Sequence, residues 1–194
     1  MEDAKVISGN NIGEVVVRMG VQRDREAEDY LNSTIVERVV AEVNIDVATR
    51  EKFIKFITYG TKSTKTLGAG ERAGVINSYR SAFSHFPESV EDWNDVIKIA
   101  NGRWPSNRSE IAEDKAKIEF EKVYRRAPIM RDSHDNAAVT IIAYGLRPAN
   151  RSLVSETAAL ATFKAVYLHI PTSAQDWDII RAVAYSGARR GINN

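Results

Sequence analysis

Two similar stretches decide the fold of this chain: Ser89-Val-Glu-Asp-Trp-Asn-Asp-Val-Ile-Lys-Ile-Ala-Asn-Gly102 and Ser173-Ala-Gln-Asp-Trp-Asp-Ile-Ile-Arg-Ala-Val-Ala-Tyr-Ser-Gly187. Each begins with a serine followed three residues later by an aspartate, the capping box that opens a helix. Apolar residues then recur every three or four positions, which is typical of one buried helix face. Each stretch ends at a glycine, the residue preferred just past a helix C terminus. The sequence therefore predicts two equivalent helices here.

A repeat of about 42 residues extends from these stretches over most of the chain. Four glycines mark it with spacings of 42, 43 and 42 residues: Gly60, Gly102, Gly145 and Gly187. Glutamates follow the first three glycines by eleven residues: Glu71, Glu113 and Glu156. Three prolines follow apolar helical patterns and are expected to stop those helices: Pro87, Pro128 and Pro171.

This pattern predicts an all-α fold of four tandem ~42-residue helical hairpins that form two similar halves. The units span residues 24–60, 61–102, 103–145 and 146–187. The first pair of hairpins is expected over residues 24–102 and the second over residues 103–194, within one compact domain.

Residues 1–23 have a different pattern. Val6-Ile7 and Val15-Val16-Val17 flank Ser8-Gly9-Asn10-Asn11, which is a turn signal. We predict a short extended N-terminal segment: an arm, a small hairpin or a frayed tail.

The composition excludes or disfavours several classes of protein. The 194 residues include no cysteine, which excludes disulfides and thiolate chemistry. A net charge of +1 argues against a dedicated nucleic-acid binder, which is normally strongly basic. No run approaches the ~18 apolar residues of a membrane-spanning helix, and no signal-peptide pattern opens the chain.

The loops that enter the predicted units combine basic residues, small hydroxyls and helix starts, which are the parts of an anion site. The candidate residues for binding an anion or acidic glycan are Lys62, Lys65, Arg103, Trp104, Arg108, Arg147 and Arg151. Alternatively, these loops only connect and cap helices, with Ser109 or Ser152 as N-caps.

The remaining aromatic and histidine residues favour structural roles. Trp93 and Trp177 fall on apolar helix faces and are expected in the core, whereas Trp104 could stack on a sugar or fill a gap between units. His85 and His169 occupy equivalent positions, typical of helix-end packing rather than of a metal site. No catalytic motif stands out, so we predict no catalytic residue, metal or cofactor.

Three stretches carry a family resemblance: Gly68-Ala-Gly-Glu-Arg-Ala-Gly-Val-Ile-Asn-Ser-Tyr79, Asp92-Trp-Asn-Asp-Val-Ile-Lys-Ile-Ala-Asn-Gly-Arg-Trp-Pro105 and Asp135-Asn-Ala-Ala-Val-Thr-Ile-Ile-Ala-Tyr-Gly145. They resemble a tandem helical repeat domain of S-layer-like surface proteins from candidate-phylum bacteria, over roughly residues 50–190. A more distant similarity to S-layer homology modules rests on the order Trp93, Gly102, Pro105, Asn107, Arg108, Glu110. The Thr-Arg-Ala-Glu motif with which those modules bind cell-wall polymer is absent.

The resemblance and the basic loops imply a non-enzymatic repeat domain at the cell surface or outside the cell, with a cytoplasmic location left open. It is expected to attach to cell-wall polysaccharide, or to assemble with copies of itself into a surface layer or filament. The alternatives are a helical glycan-acting enzyme and a nucleic-acid-binding helical repeat, although the near-neutral charge disfavours nucleic acid.

Overall fold

The computed structural model describes residues 2–9, 16–17, 19–41 and 43–191. Within these ranges the chain is helical without a β-strand, so the all-α prediction is confirmed. The helices in chain order are α1 (Glu2–Ser8), α2 (Arg25–Leu31, continued by a π-helical turn Asn32–Val36 and a turn Glu37–Val39), α3 (Val47–Tyr59), α4 (Ala69–Phe83), α5 (Val90–Ala100), α6 (Glu110–Tyr124), α7 (Ser133–Tyr144), α8 (Leu153–Tyr167) and α9 (Ala174–Tyr185). No helix in the described ranges is long and apolar enough to cross a membrane.

Helix α4 lies at the centre of the molecule. It packs against α3, α5, α6, α7 and α9, while α6 pairs with α7 and α8 pairs with α9. One continuous hydrophobic core runs from α1 to α9. Its aromatic centre joins α3 to α5, where Trp93 meets the rings of Phe53 and Phe56 edge to face at 6.1 and 5.4 Å. The division into two pairs of hairpins at residue 102 stays a prediction.

The serine caps confirm the predicted helix starts. Ser89 and Ser173 each form the complete capping box with the aspartate three residues on. Ser109 and Ser152 cap α6 and α8 by accepting the amides of the third residue beyond them. Each cap stabilises its helix by about 1 kcal/mol. The N-caps predicted at Ser109 and Ser152 are therefore confirmed, whereas the alternative that these loops do nothing besides connecting and capping helices stays a prediction.

The first helix of each later unit ends before its proline, so the predicted proline stop was wrong. The C-cap residues of α4, α6 and α8 are Ser84, Arg125 and Leu168, which have left-handed φ angles of 64°, 59° and 59°. Each of these residues donates its amide to the carbonyl four residues earlier, which closes the last turn. The chain has already left the helix when it reaches Pro87, Pro128 and Pro171.

The prediction of an extended N-terminal segment was wrong for residues 2–8, which form α1. Ala4 and Ile7 lie three residues apart on one helix face and are fully buried where α1 packs on α5. Asp3 also accepts a hydrogen bond from the Ser63 hydroxyl at 2.6 Å. Burial of this short apolar face outweighs the local turn signal. The rest of that signal, Asn10 and Asn11, lies outside the described residues.

Candidate functional site

The same arginine–glutamate–tyrosine cluster recurs three times among the described residues. In the last unit Arg151 donates to Glu156 at 2.9 and 2.6 Å, and the Tyr185 hydroxyl donates to the same carboxylate at 2.5 Å. The equivalent clusters are Arg23–Glu28–Tyr59 and Arg108–Glu113–Tyr144. Each ties the start of one helix to the end of the next, and their recurrence supports the predicted period.

These clusters make stability sensitive to acid. Hydrogen bonds from Arg108 and Arg151 hold the pKa of Glu113 and Glu156 below the ordinary value of 4.5. A carboxyl whose pKa is lower in the folded state stabilises the fold above its unfolded pKa, and this stability is lost as the pH falls through the folded value. We expect urea unfolding to show a loss of stability from pH 7 to pH 3. A Glu113→Gln/Glu156→Gln variant should lose less over that interval; an equal loss would contradict this assignment.

The second unit departs from this pattern, and Glu71 is not the equivalent of the other two glutamates. Glu113 and Glu156 lie four residues after their N-caps, but the residue four after the N-cap Gly68 is Arg72. Arg72 is buried and donates to the carbonyls of Ile57 and Thr58 at the end of α3. Glu71 is thereby left free to turn toward α9.

An open cavity of about 410 Å³ lies between α4, α9 and the loop that joins α7 to α8. We call it the arginine cleft; its walls include Glu71, Asn77, Arg147, Arg151, Trp177 and Arg181. The N terminus of α9 also borders it, through Ser173 and Ala174. The cleft therefore combines guanidinium groups, an aromatic ring and a helix start.

Arg147 forms the floor of the arginine cleft. Its side chain is 1% exposed, and its Nε lies 2.9 Å from Glu71 Oε2 without the angle of a hydrogen bond. Its Nη1 donates to the Gly145 carbonyl, and its Nη2 has no acceptor among the described residues. Burial lowers the pKa of Arg147 to about 10, so the group remains charged at neutral pH.

Arg181 extends the positive charge along α9. Its Nη1 donates to Asp178 at 2.6 Å, and its Nη2 reaches Glu71 at 3.2 Å. Burial raises the pKa of Asp178, and the nearby Arg181 and Arg147 oppose that rise. Burial alone would also raise the pKa of Glu71, but Arg147, Arg181 and Arg151 outweigh it and hold the value low. The network keeps opposite charges in contact across the α4–α9 interface.

Two glycines on α4 allow a sharp test of this packing. A Cβ on Gly74 would lie 2.6 Å from Arg147 Nη2, whereas a Cβ on Gly70 would meet nothing within 4 Å. We expect Gly70→Ala to stabilise the protein by about 0.5 kcal/mol, because alanine favours a helix. Gly74→Ala should instead destabilise it by about 1–2 kcal/mol, because the buried guanidinium must move. Thermal unfolding of both variants measures this; equal effects would contradict the close contact.

The structure does not bring the seven predicted site residues together. Only Arg147 and Arg151 line the arginine cleft. Lys62 and Lys65 are exposed and border another cavity, beside the acidic side chains of α1. Arg103 is exposed just after α5 and does not line the cleft. The binding of an anion or acidic glycan by these seven residues stays a prediction.

Trp104 and Arg108 form a separate pair. The Arg108 guanidinium covers the Trp104 ring at 4.2 Å from its centroid and also donates to Glu113. Trp104 is partly exposed and borders a small cavity at the N terminus of α7. One ring face is thus already occupied by a side chain of the same chain.

Two residues of the cleft escaped sequence reasoning. Trp177 was expected in the core, like Trp93, but its side chain is exposed while Trp93 is fully buried. Arg181 is not among the predicted site residues, although it replaces Ile97 of the equivalent helix. The sequence did contain a signal. The position of the apolar Ile97 in the first half is occupied by the charged Arg181 in the second, one helix turn after Trp177.

The histidines have the predicted helix-end roles. His85 and His169 each place Nδ1 2.8 and 2.7 Å from the next residue's carbonyl oxygen. His134 instead contacts the Ser186 carbonyl at 2.8 Å. Among the described residues, no three histidine, aspartate or glutamate side chains are grouped so that they could hold a metal ion.

Comparison with known proteins gives no relative for this chain. No protein-family profile, no curated protein and no solved structure matches it significantly.

Proposed function

We propose that this chain is a non-enzymatic helical module that attaches a cell-surface protein to an acidic cell-wall polysaccharide through the arginine cleft. One observation carries the proposal: three guanidinium groups meet at an open cavity whose wall also holds an exposed tryptophan. Arginine pairs with carboxylates through its planar fork, and an indole offers a flat apolar face to a sugar ring. The family resemblance adds the expectation of a surface location.

The repeat supplies a matched pair of arginines to test this site. Arg151 and Arg108 make the same contacts with a glutamate five residues on, but only Arg151 borders the cleft. We expect Arg151→Gln to weaken binding of polygalacturonic acid about tenfold at 150 mM salt, since one charge-assisted contact is lost. Arg108→Gln should leave binding unchanged. Isothermal titration calorimetry, with methyl-esterified polymer as the neutral control, measures both.

Three results would overturn the proposal. The first is an absence of binding to the polymer and to isolated cell-wall fragments. The second is equal weakening by both arginine variants, which would indicate diffuse attraction to a basic surface. The third is equal binding of the neutral polymer, because no guanidinium would then be needed.

A second candidate function is assembly with copies of the same chain. The observation that favours it is a set of apolar side chains at the two ends of α8 that are at least 65% exposed: Leu153 and Val154 at its start, and Leu168 and Ile170 after its last residue. Exposed apolar patches often mark protein–protein contacts. Light scattering of the wild type and of a Val154→Lys/Leu168→Lys variant tests this function. Oligomers that disappear in the variant would support it, and a wild-type monomer at high concentration would contradict it.

A further inference from the structure

Glu71 occupies an unusual position for a first-turn helix carboxylate. It lies three residues after the N-cap of α4, and its oxygens face Arg147, Arg181 and Arg151 at 2.9, 3.2 and 3.8 Å. The other predicted units place a carboxylate one residue later, where a local arginine and tyrosine hold it. One carboxylate thus bridges three guanidinium groups that come from two other segments of the chain.

The two sides of this contact differ in their freedom to move. The Glu71 side chain is 25% exposed at the rim of an open cavity, whereas Arg147 is almost wholly buried. A rotation about its side-chain bonds is enough to bring the Glu71 carboxylate into water near the positive N-terminal end of α4. Arg147 has no such route. The cleft can therefore exchange Glu71 for another anion while its arginines stay in place.

The net charge of the cleft after Glu71 has left determines which kind of anion it can bind. Without Glu71, the cleft keeps Arg147, Arg151 and Arg181 against the carboxylates of Asp178 and Glu156, an excess of one positive charge. A singly charged, planar group with two oxygens matches both that excess and the position that Glu71 already fills. The Trp177 ring, 46% exposed on the same wall, offers a face to the sugar that carries this group.

We infer that Glu71 is an internal stand-in for the ligand: the carboxylate of a uronic acid residue takes its place among the three arginines, and binding releases Glu71 into water. This inference rests on the proposed function and deepens it, because it names the ligand group and an intramolecular competitor. In this inference Glu71 does not contact the ligand but competes with it and so lowers the affinity. Removal of its charge must therefore strengthen binding.

The first test is the affinity of a Glu71→Gln variant for trigalacturonic acid. Glutamine keeps the size of the side chain but no longer competes as an anion, so we expect about tenfold tighter binding than in the wild type. Glu113→Gln, which changes a carboxylate outside the cleft, should leave the affinity unchanged. Equal or weaker binding by Glu71→Gln would overturn the inference. So would a preference for a sulfated oligosaccharide over the uronate.

The second test uses the wild-type protein and does not depend on how the variant folds. Carboxyl-carbon NMR reports the pKa of Glu71 with and without trigalacturonic acid. Because the ligand removes Glu71 from the arginines, we expect that pKa to rise toward the ordinary 4.5 on binding. An unchanged or lower pKa in the bound protein would overturn the inference. The proposed function has a separate outcome. If the wild type binds the ligand and Arg151→Gln weakens that binding, the proposed function stands even when one of the two Glu71 results contradicts the inference.

Discussion

Replacement of Arg147 by methionine is expected to lower the free energy of unfolding by about 3 kcal/mol. Removal of one member of a buried ion pair costs about 3–5 kcal/mol, because the partner charge stays behind in a poorly solvated place. Here the buried Asp178 keeps Arg181 as its cationic partner and the hydrogen bond from Ser78, while the Gly145 carbonyl loses its guanidinium donor. The value lies at the lower end because Glu71 can turn toward water.

Arg151 provides the control for this prediction. It contacts the same Glu71, but its side chain is 53% exposed, and a surface ion pair contributes about 0–1 kcal/mol. Arg151→Met should therefore cost less than about 1 kcal/mol in urea unfolding at pH 7. Similar losses in both variants would contradict the central position given to Arg147. An unchanged free energy of unfolding in Arg147→Met would show that the buried guanidinium does not hold the α4–α9 interface together.

The local signals in the sequence predicted the fold well because they act over a few residues. The capping boxes at Ser89 and Ser173 involve hydrogen bonds within one helix turn, so the residue types alone are sufficient to predict where each helix starts. The helix ends were harder to predict. Ser84, Arg125 and Leu168 adopt left-handed conformations that their residue types do not favour, so the residue types alone do not indicate where these helices end.

The site was harder to predict because its residues meet across long stretches of chain. Ser78 donates to Asp178 from one hundred residues away, and Arg181 reaches Glu71 over 110 residues. Basic loops that looked alike in the sequence have different surroundings: Arg147 is buried, whereas Arg108 covers a tryptophan on the surface. A repeat predicts the shared helices, but the proposed site consists of positions at which its units differ.

Between the two halves, the largest difference in the stability lost on truncation is expected at the two equivalent tryptophans, Trp93 and Trp177. Trp93→Ala should destabilise the protein by about 3–5 kcal/mol, because it empties a fully buried site between Phe53 and Phe56. The indole Nε1 has no acceptor among the described residues, so the loss is one of packing rather than of a hydrogen bond. Thermal or urea unfolding measures the effect.

Trp177→Ala is the matched variant, with the same residue change at the equivalent position of the repeat. Nearly half of this side chain is exposed, so its truncation should cost about 1 kcal/mol or less. Its effect should instead appear in the affinity for polygalacturonic acid, which Trp93→Ala should leave unchanged wherever the variant remains folded. Comparable stability losses at both positions would show that Trp177 belongs to the core after all. A stability loss at Trp93 alone, with a binding loss at Trp177 alone, would show that one repeat position packs the core in the first half and recognises ligand in the second.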